Sequence, residues 1–347
     1  SPNTIVVDAP IEVNTPQGLW RPKNASNRFY GPSPVRTGIE QSRNLMTIRL
    51  AQEIGMDTVA SYAERFGVYD DMNPFLSNAL GAQETTLLKM VTAYAMFANG
   101  GERVEPTLVD RVQDRWGRTV YRHDQRSCDD CQLASLEADF APAIKSSRER
   151  VMDAITAYQL TSMMQGVVQR GTARRTVNLS VPTAGKTGTT NDAKDVWFVG
   201  FTSNIVAGCY IGCDRPTALG RGAGGGTTCG PVFNRFMKKA TAKYGGGKFD
   251  VPDGGYFVKI DRFTGAVLPS NASGDHVVVE YFRNGEEPAY GLGAIIDGGF
   301  AMGSNLNLFS RGGSDVNAVT EVTTSTGKKA VIPKRANFGT LSAGGLY

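Results

Sequence analysis

Apolar residues recur at helical spacing in several stretches of the chain. In VRTGIEQSRNLMTIRLAQEIG (35–55) Leu45, Ile48 and Leu50 recur, with Ile54 further on, which predicts helix. Ser42-Arg43-Asn44 interrupts it, because Ser and Asn favour helix ends over helix interiors. DTVASYAERFGV (57–68) predicts a second helix stopped by Gly67, and TTLLKMVTAYAMFANGG (85–101) a third stopped by Gly100-Gly101. ITAYQLTSMMQGVVQRG (155–171) is amphipathic up to Gly171, and GPVFNRFMKKATAKYG (230–245) ends in a basic turn that suits the helix dipole. Alternation marks a hairpin at 108–124 around Trp116-Gly117-Arg118, a strand pair at 184–202, and a third strand at 205–214. Pro10, Pro16, Pro22, Pro32 and Pro34 make residues 1–34 read as loop. From about 246 the composition shifts, with short strands in YFVKIDRFTGAVL and HVVVEYF. After about 300 a Gly, Ser, Thr and Asn-rich stretch reads as a poorly ordered tail. The expected organisation is therefore a main domain at 1–245, a strand-rich extension at 246–300 and a polar tail at 301–347.

At 347 residues, 41% hydrophobic and 20% charged, the sequence describes a globular protein able to bury a full core. No apolar run reaches the length of a membrane span, and no secretory signal pattern is present. The chain starts at Ser1 without an initiator Met, so it is expected to be a processed or excised piece. A net charge of +4, with Lys and Arg scattered, gives no basic stripe for nucleic acid. Two histidines, His123 and His276, argue against a His-rich metal site, and no cofactor is expected. Of five cysteines, Cys128 and Cys131 are close enough for a disulfide, free thiols or half a zinc site. Cys209 and Cys213 share one side of a strand but lie too far apart to bond, and the sequence leaves the state of Cys229 open.

Candidate chemistry gathers in two places. In Lys186-Thr187-Gly188-Thr189, an ammonium and two hydroxyls on a strand suit a carboxylate. Gly188 lets another backbone approach, and a strand N–H suits a developing oxyanion. An exposed polar strand end is the plain alternative. Ser42-Arg43-Asn44 in isolation reads as a helix cap. Together, and in this order, the two match the second and third elements of the S-x-x-K, S-D-N, K-T-G set of penicillin-recognising serine enzymes, with Arg43 in place of the Asp.

WRPKN (20–24), FYGPSPVRTGIEQSRNLMTIRLAQEIG (29–55), LGAQETTLLKMVTAYAMFANGG (80–101), MMQGVVQRGTARR (163–175) and AGKTGTTNDAKDVWFVGFT (184–202) together resemble the transpeptidase domain of class A, bifunctional penicillin-binding proteins of the 1A type. The resemblance covers about residues 5–290. It implies an α/β (α+β), β-lactamase/transpeptidase-like fold, with an antiparallel sheet packed between helices plus an all-helical region. It implies an acyl-serine transpeptidase of peptidoglycan stem peptides, inhibited by β-lactams, in a polypeptide that also carries a glycosyltransferase domain and a membrane anchor. Ser42 would relay a proton, Asn44 would hold the donor peptide's amide, and Lys186 would keep the site positive and orient Ser42. Thr187 and Thr189 would bind the donor carboxylate, Gly188 would admit the peptide, and the Thr189 N–H would complete the oxyanion hole. Arg43 would point outward, and Asp195 and Trp197 would be structural.

The family's nucleophilic Ser-x-x-Lys lies upstream of the segment that Val6–Pro10 resembles. Thr86-Leu-Leu-Lys89 sits inside an amphipathic helix and Ser325-Thr-Gly-Lys328 in the tail, so neither replaces it. RGAGGGTTCG (221–230) lacks the Gly-Lys-Ser/Thr of a phosphate loop and reads as flexible loop. The chain is thus expected to lack its nucleophile and the first two strands of a five-stranded sheet. The missing segment would come from the same polypeptide or another chain. The expected partners are D-Ala-D-Ala donor and amine acceptor stem peptides and β-lactams, with no nucleic acid. The expected location is the periplasmic face of the bacterial inner membrane, reached only through the absent anchor. Rival readings are a D,D-carboxypeptidase or β-lactamase-type hydrolase, and a non-catalytic module of the same fold.

Overall fold

A computed structural model describes residues 1–15, 18–128, 131, 142, 144–145, 148–286, 295–299, 319–323, 327 and 329–333. At its centre is an antiparallel three-stranded sheet. Along the chain the elements run β1 (Ile5–Asp8), β2 (Val13–Thr15), β3 (Gly18–Trp20), β4 (Gly31–Pro34), α1 (Val35–Gln41), α2 (Asn44–Ile54), α3 (Met56–Arg65) and α4 (Leu87–Ala98). Two hairpins follow, β5 (Arg111–Gln113) with β6 (Thr119–Arg122) and β7 (Ser127–Cys128) with β8 (Ile144–Lys145), and then α5 (Ala154–Gln169). The central strands are β9 (Ala184–Thr189), β10 (Val196–Phe201) and β11 (Val206–Ile211), in spatial order 11-10-9. α6 (Gly230–Tyr244) and the pair β12 (Gly255–Asp261) and β13 (Val277–Arg283) come next. The last pair is β14 (Val319–Thr323) with β15 (Lys329–Pro333). Cys128 and Cys131 are joined as a disulfide.

β10 reads VWFVGF and is buried except at Trp197, because helices cover both faces of the sheet. On one face Val196 and Phe198 pack with Phe233 and Met237 of α6. On the other, Phe201 packs with Tyr94 of α4 and Met164 of α5. Among the described residues the outer edge of β11 has no strand partner.

One sequence expectation fails. Residues 1–34 are not all loop: they hold β1 to β4. The prolines are compatible because Pro32 and Pro34 sit opposite Val7 and Ile5 in the β1–β4 pair. Val7 N–H and Ile5 O instead face Ile296 on the other side of β1. Those positions therefore need no proline N–H. Of the polar tail expected at 301–347, the structure describes only 319–323, 327 and 329–333. The β-branched VTEVT and KAVIP runs pair as β14 and β15, while most of 301–347, including Ser325 and Lys328, lies outside the described residues.

The elements are locked by buried charge. Arg36 of α1, Glu40 of α1 and Glu280 of β13 are 1%, 1% and 0% exposed. Arg36 forks onto both oxygens of Glu280, reaches Glu40 at 3.1 Å, and donates to Ser162 O (3.1 Å) and Ser162 Oγ (2.8 Å) on α5. Arg170, just past α5, closes on Glu40 at 2.7 Å, so two cations balance two carboxylates. Glycine makes this approach possible: a Cβ on Gly166 would collide with the Glu40 carboxylate, and one on Gly171 with the Glu40 carbonyl. Arg49 of α2 is fully buried and donates to Asp297 O at 2.8 Å and to Ala9 O and Pro10 O at 3.0 Å. A cavity of about 220 Å³ lies beside Arg36, Gln165 and Val278, away from Lys186 and Thr189.

Arg36→Met strands Glu40 and Glu280 without their shared partner. The expected cost is about 3–5 kcal/mol in denaturant unfolding. A loss below about 1 kcal/mol, the range of a solvated pair, would contradict the locking role.

Candidate active site

α1 ends in a Schellman pattern. Ser42 N–H bonds Ile39 O at 3.2 Å and Arg43 N–H bonds Gly38 O at 2.9 Å. Ser42 takes the left-handed position, φ 54° and ψ 56°, usually given to glycine. For a residue with a Cβ this costs about 1–2 kcal/mol. A glycine would relieve that cost but carry no hydroxyl. Arg43 then caps the start of α2 with extended φ and ψ, and Asn44 is its first residue.

The sequence block WRPKN supports this junction. Asn44 Nδ2 donates to Lys23 O at 2.9 Å, and Leu45 N–H donates to Asn24 Oδ1 at 3.3 Å. Asn24 is itself held by Asp8, at 2.8 and 3.0 Å. Burial raises the Asp8 carboxyl to about 6 against the opposing Asn24 hydrogen bond. The Arg43 guanidinium stacks 3.1 Å from the centroid of the Tyr30 ring rather than simply pointing outward.

Across from Ser42 runs β9. Lys186 Nζ donates to Ser42 Oγ at 2.7 Å and to Thr187 O at 2.9 Å. The side chain leaves the strand toward the helices, and burial lowers its ammonium from 10.5 to about 8. Thr187 and Thr189 lie on the alternate face. Thr187 Oγ1 is 2.7 Å from Thr172 Oγ1, and Thr189 Oγ1 accepts the Gly225 N–H at 2.9 Å. Since Thr190 N–H turns inward to Asp195 O (3.0 Å), alternation turns the Thr189 N–H to the free edge.

RGAGGGTTCG does not end as an open loop. Gly225–Cys229 forms a single π-helical turn leading into α6. A Cβ on Gly225 would strike Gly188 O and Trp197 O, and one on Gly226 would lie 2.6 Å from Thr172 O. Glycine therefore lets this turn sit directly on the threonine edge. Asp195 and Trp197 line the far side. Asp195 Oδ1 accepts the Tyr210 hydroxyl at 2.8 Å, and the Trp197 and Tyr210 rings pack tilted at 47° with centroids 4.6 Å apart, Trp197 being half-buried. Thr86 caps α4 by accepting from Lys89 N–H, and Lys89 pairs with Asp70, so these two residues serve helix ends.

The structure thus brings Ser42, Lys186, Thr187, Gly188 and Thr189 to one sheet edge, with Asn44 one turn of chain away. Sequence reasoning missed Thr172, Gly225, Lys23 and Tyr30. Thr172 lay within the MMQGVVQRGTARR block, but nothing local marked it as a neighbour of Thr187. Among the described residues no cluster of three or more His, Cys, Asp or Glu side chains could hold a metal.

The lowered Lys186 gives a pH signature with a definite sign. Between about 8 and its unfolded value of 10.5 the folded protein binds fewer protons than the unfolded one, so stability rises with pH across that window. Measured against Lys186→Met by denaturant midpoint, the native chain should gain over this interval. Parallel curves would contradict a desolvated ammonium.

Comparison with known proteins gives the family. Residues 1–238 match the family described as penicillin binding protein transpeptidase domain. The chain is 42% identical over 288 residues to penicillin-binding protein 1A of Rickettsia bellii, covering 81% of this chain and 36% of that protein. It is 35% identical over 318 residues to penicillin-binding protein 1A of Pseudomonas aeruginosa, covering 82% and 38%. The chain therefore spans little more than a third of the length of these relatives. The crystal structure of penicillin-binding protein 1A from Haemophilus influenzae superposes with a TM-score of 0.70 at 31% identity, covering 83% of this chain and 46% of that one. The chain belongs to the penicillin-binding protein transpeptidase domain family.

Proposed function

We propose that this chain forms the larger part of a serine D,D-transpeptidase centre that cross-links peptidoglycan stem peptides and is the target of β-lactams. The observation that carries the reading is the 2.7 Å contact between Lys186 Nζ and Ser42 Oγ, residues 144 apart in sequence. The nucleophilic serine and its lysine would come from a Ser-x-x-Lys segment outside this chain, supplied by the parent polypeptide or by another chain. The parent would also bear the glycosyltransferase domain and the membrane anchor, placing the site on the periplasmic face of the inner membrane.

The bonds of each residue support a role for it. As the nucleophile attacks the penultimate D-alanyl carbonyl its proton would go to its own motif lysine; because Ser42 Oγ accepts from Lys186, the Ser42 hydroxyl proton is then free to pass to the D-alanine amine as the adduct collapses and the peptide C–N bond breaks. With its ammonium lowered to about 8, Lys186 stays mostly charged at neutral pH and holds a positive field, while a proton lost from Ser42 is more easily returned by it than by an ordinary lysine. Thr189 Oγ1 already accepts from Gly225, so its O–H is left to donate to the donor carboxylate, beside the Thr187–Thr172 pair. The Thr189 N–H meets the developing oxyanion. Asn44, one of its two Nδ2 hydrogens bonded to Lys23 O, offers Oδ1 to the peptide N–H. The acyl group then passes from the serine to an amine of a neighbouring stem, forming the cross-link and freeing the nucleophile.

Fluorescent penicillin provides the test. The 347-residue chain alone should acquire no covalent label. The parent polypeptide should be labelled, and Lys186→Ala should slow labelling by roughly 10²–10⁴. An adduct on the isolated chain, or unchanged labelling in the variant, would overturn the reading. Released D-alanine without cross-links would assign a hydrolase instead.

A further inference from the structure

Two cysteines meet in the core directly behind the candidate site. Cys209 on β11 stands opposite Phe198 in the sheet register. Cys229 ends the π-helical turn whose first residue, Gly225, donates to Thr189 Oγ1. Their Sγ atoms are 2.7 Å apart, and the Cys229 thiol also lies 3.3 Å from Val196 O. A bonded pair has sulfurs about 2.05 Å apart, so closure needs a shift of only roughly 0.7 Å. Cys213, by contrast, lies beyond the end of β11 and is exposed.

We propose that Cys209 and Cys229 form a disulfide in the mature protein, a staple that pins the turn seated on the Lys186–Thr189 edge to the outer strand of the sheet. The bond closes a loop of low intrinsic order, since Gly220, Gly222, Gly224, Gly225 and Gly226 all fall between the two cysteines. Cross-linking such a segment removes much unfolded-state freedom. It also fixes where the Gly225 N–H points, and so which way the Thr189 hydroxyl can donate.

The chemistry is disulfide exchange with an external disulfide as oxidant. The half-buried Cys209, as thiolate, attacks one sulfur of the oxidant and expels the other as a thiol once protonated. The buried Cys229 then loses its proton and displaces the second oxidant sulfur from Cys209. One external disulfide is reduced to two thiols for each protein disulfide made. Burial raises the Cys229 thiol to about 12, so closure in the folded chain is slow at neutral pH and faster as pH rises.

The test is peptide mapping of the chain refolded with oxidised glutathione, then denatured and alkylated without reductant. A tryptic species joining residues 195–221 to residues 222–235 is expected, with fragment ions placing the alkyl group on Cys213 and the link on Cys209. Alkylation of both Cys209 and Cys229, or linkage of either to Cys213, would overturn the proposal. As a second measurement, Cys209→Ser should lower Tm by roughly 5–10 °C under non-reducing conditions, a difference that reductant removes. An equal gap with and without reductant would assign the effect to packing and contradict a staple. Neither readout depends on acylation, so the proposal stands or falls apart from the transpeptidase reading.

Discussion

A partly buried ammonium bonded to a serine hydroxyl is the constraint around which this molecule is arranged. Lys186 sits on a strand, Ser42 at a helix end, and only tertiary structure brings them to 2.7 Å. Desolvation makes the contact costly, and the left-handed backbone at Ser42 adds strain. Both persist because the surroundings over-determine them. The Arg36–Glu40–Glu280–Arg170 cluster fixes α1 against α5 and β13, so the helix that delivers Ser42 cannot slide. Asn24 and Lys23 fix the start of α2. Ala184 packs β9 against Met164 of α5, and pairing with β10, itself packed on both faces, holds the rest of the strand.

The same logic explains why the strand-rich extension is more than an appendage. Glu280 of β13 is a principal partner of Arg36, and Ile296 exchanges backbone hydrogen bonds with Ile5 and Val7. The extension therefore carries part of the framework that aims Ser42. Its sequence gives little hint of this, because a glutamate in HVVVEYF looks like an outward-facing residue of an alternating strand.

Legibility tracked locality. The break at Ser42-Arg43-Asn44, the glycine stops of the helices and the KTGT strand were readable because each is set by a few neighbouring residues. The strands at the N-terminus were hidden, since prolines are harmless only at positions whose N–H faces away from the partner, and that is a fact of pairing. Thr172 and Gly225 were invisible as site residues because each acquires its meaning from one residue, Thr187 or Thr189, on another element. Arg43 was expected to point away from the molecule, yet Tyr30 gives its guanidinium a surface to stack on.

The most direct test of a centre completed by a separate nucleophile is a crystal structure of the parent polypeptide acylated by a penicillin. The account predicts the modified serine within hydrogen-bond reach of Ser42 Oγ and Lys186 Nζ, with the drug's carboxylate against Thr187 and Thr189. An acylated residue remote from Lys186, or a carboxylate bound away from β9, would contradict it.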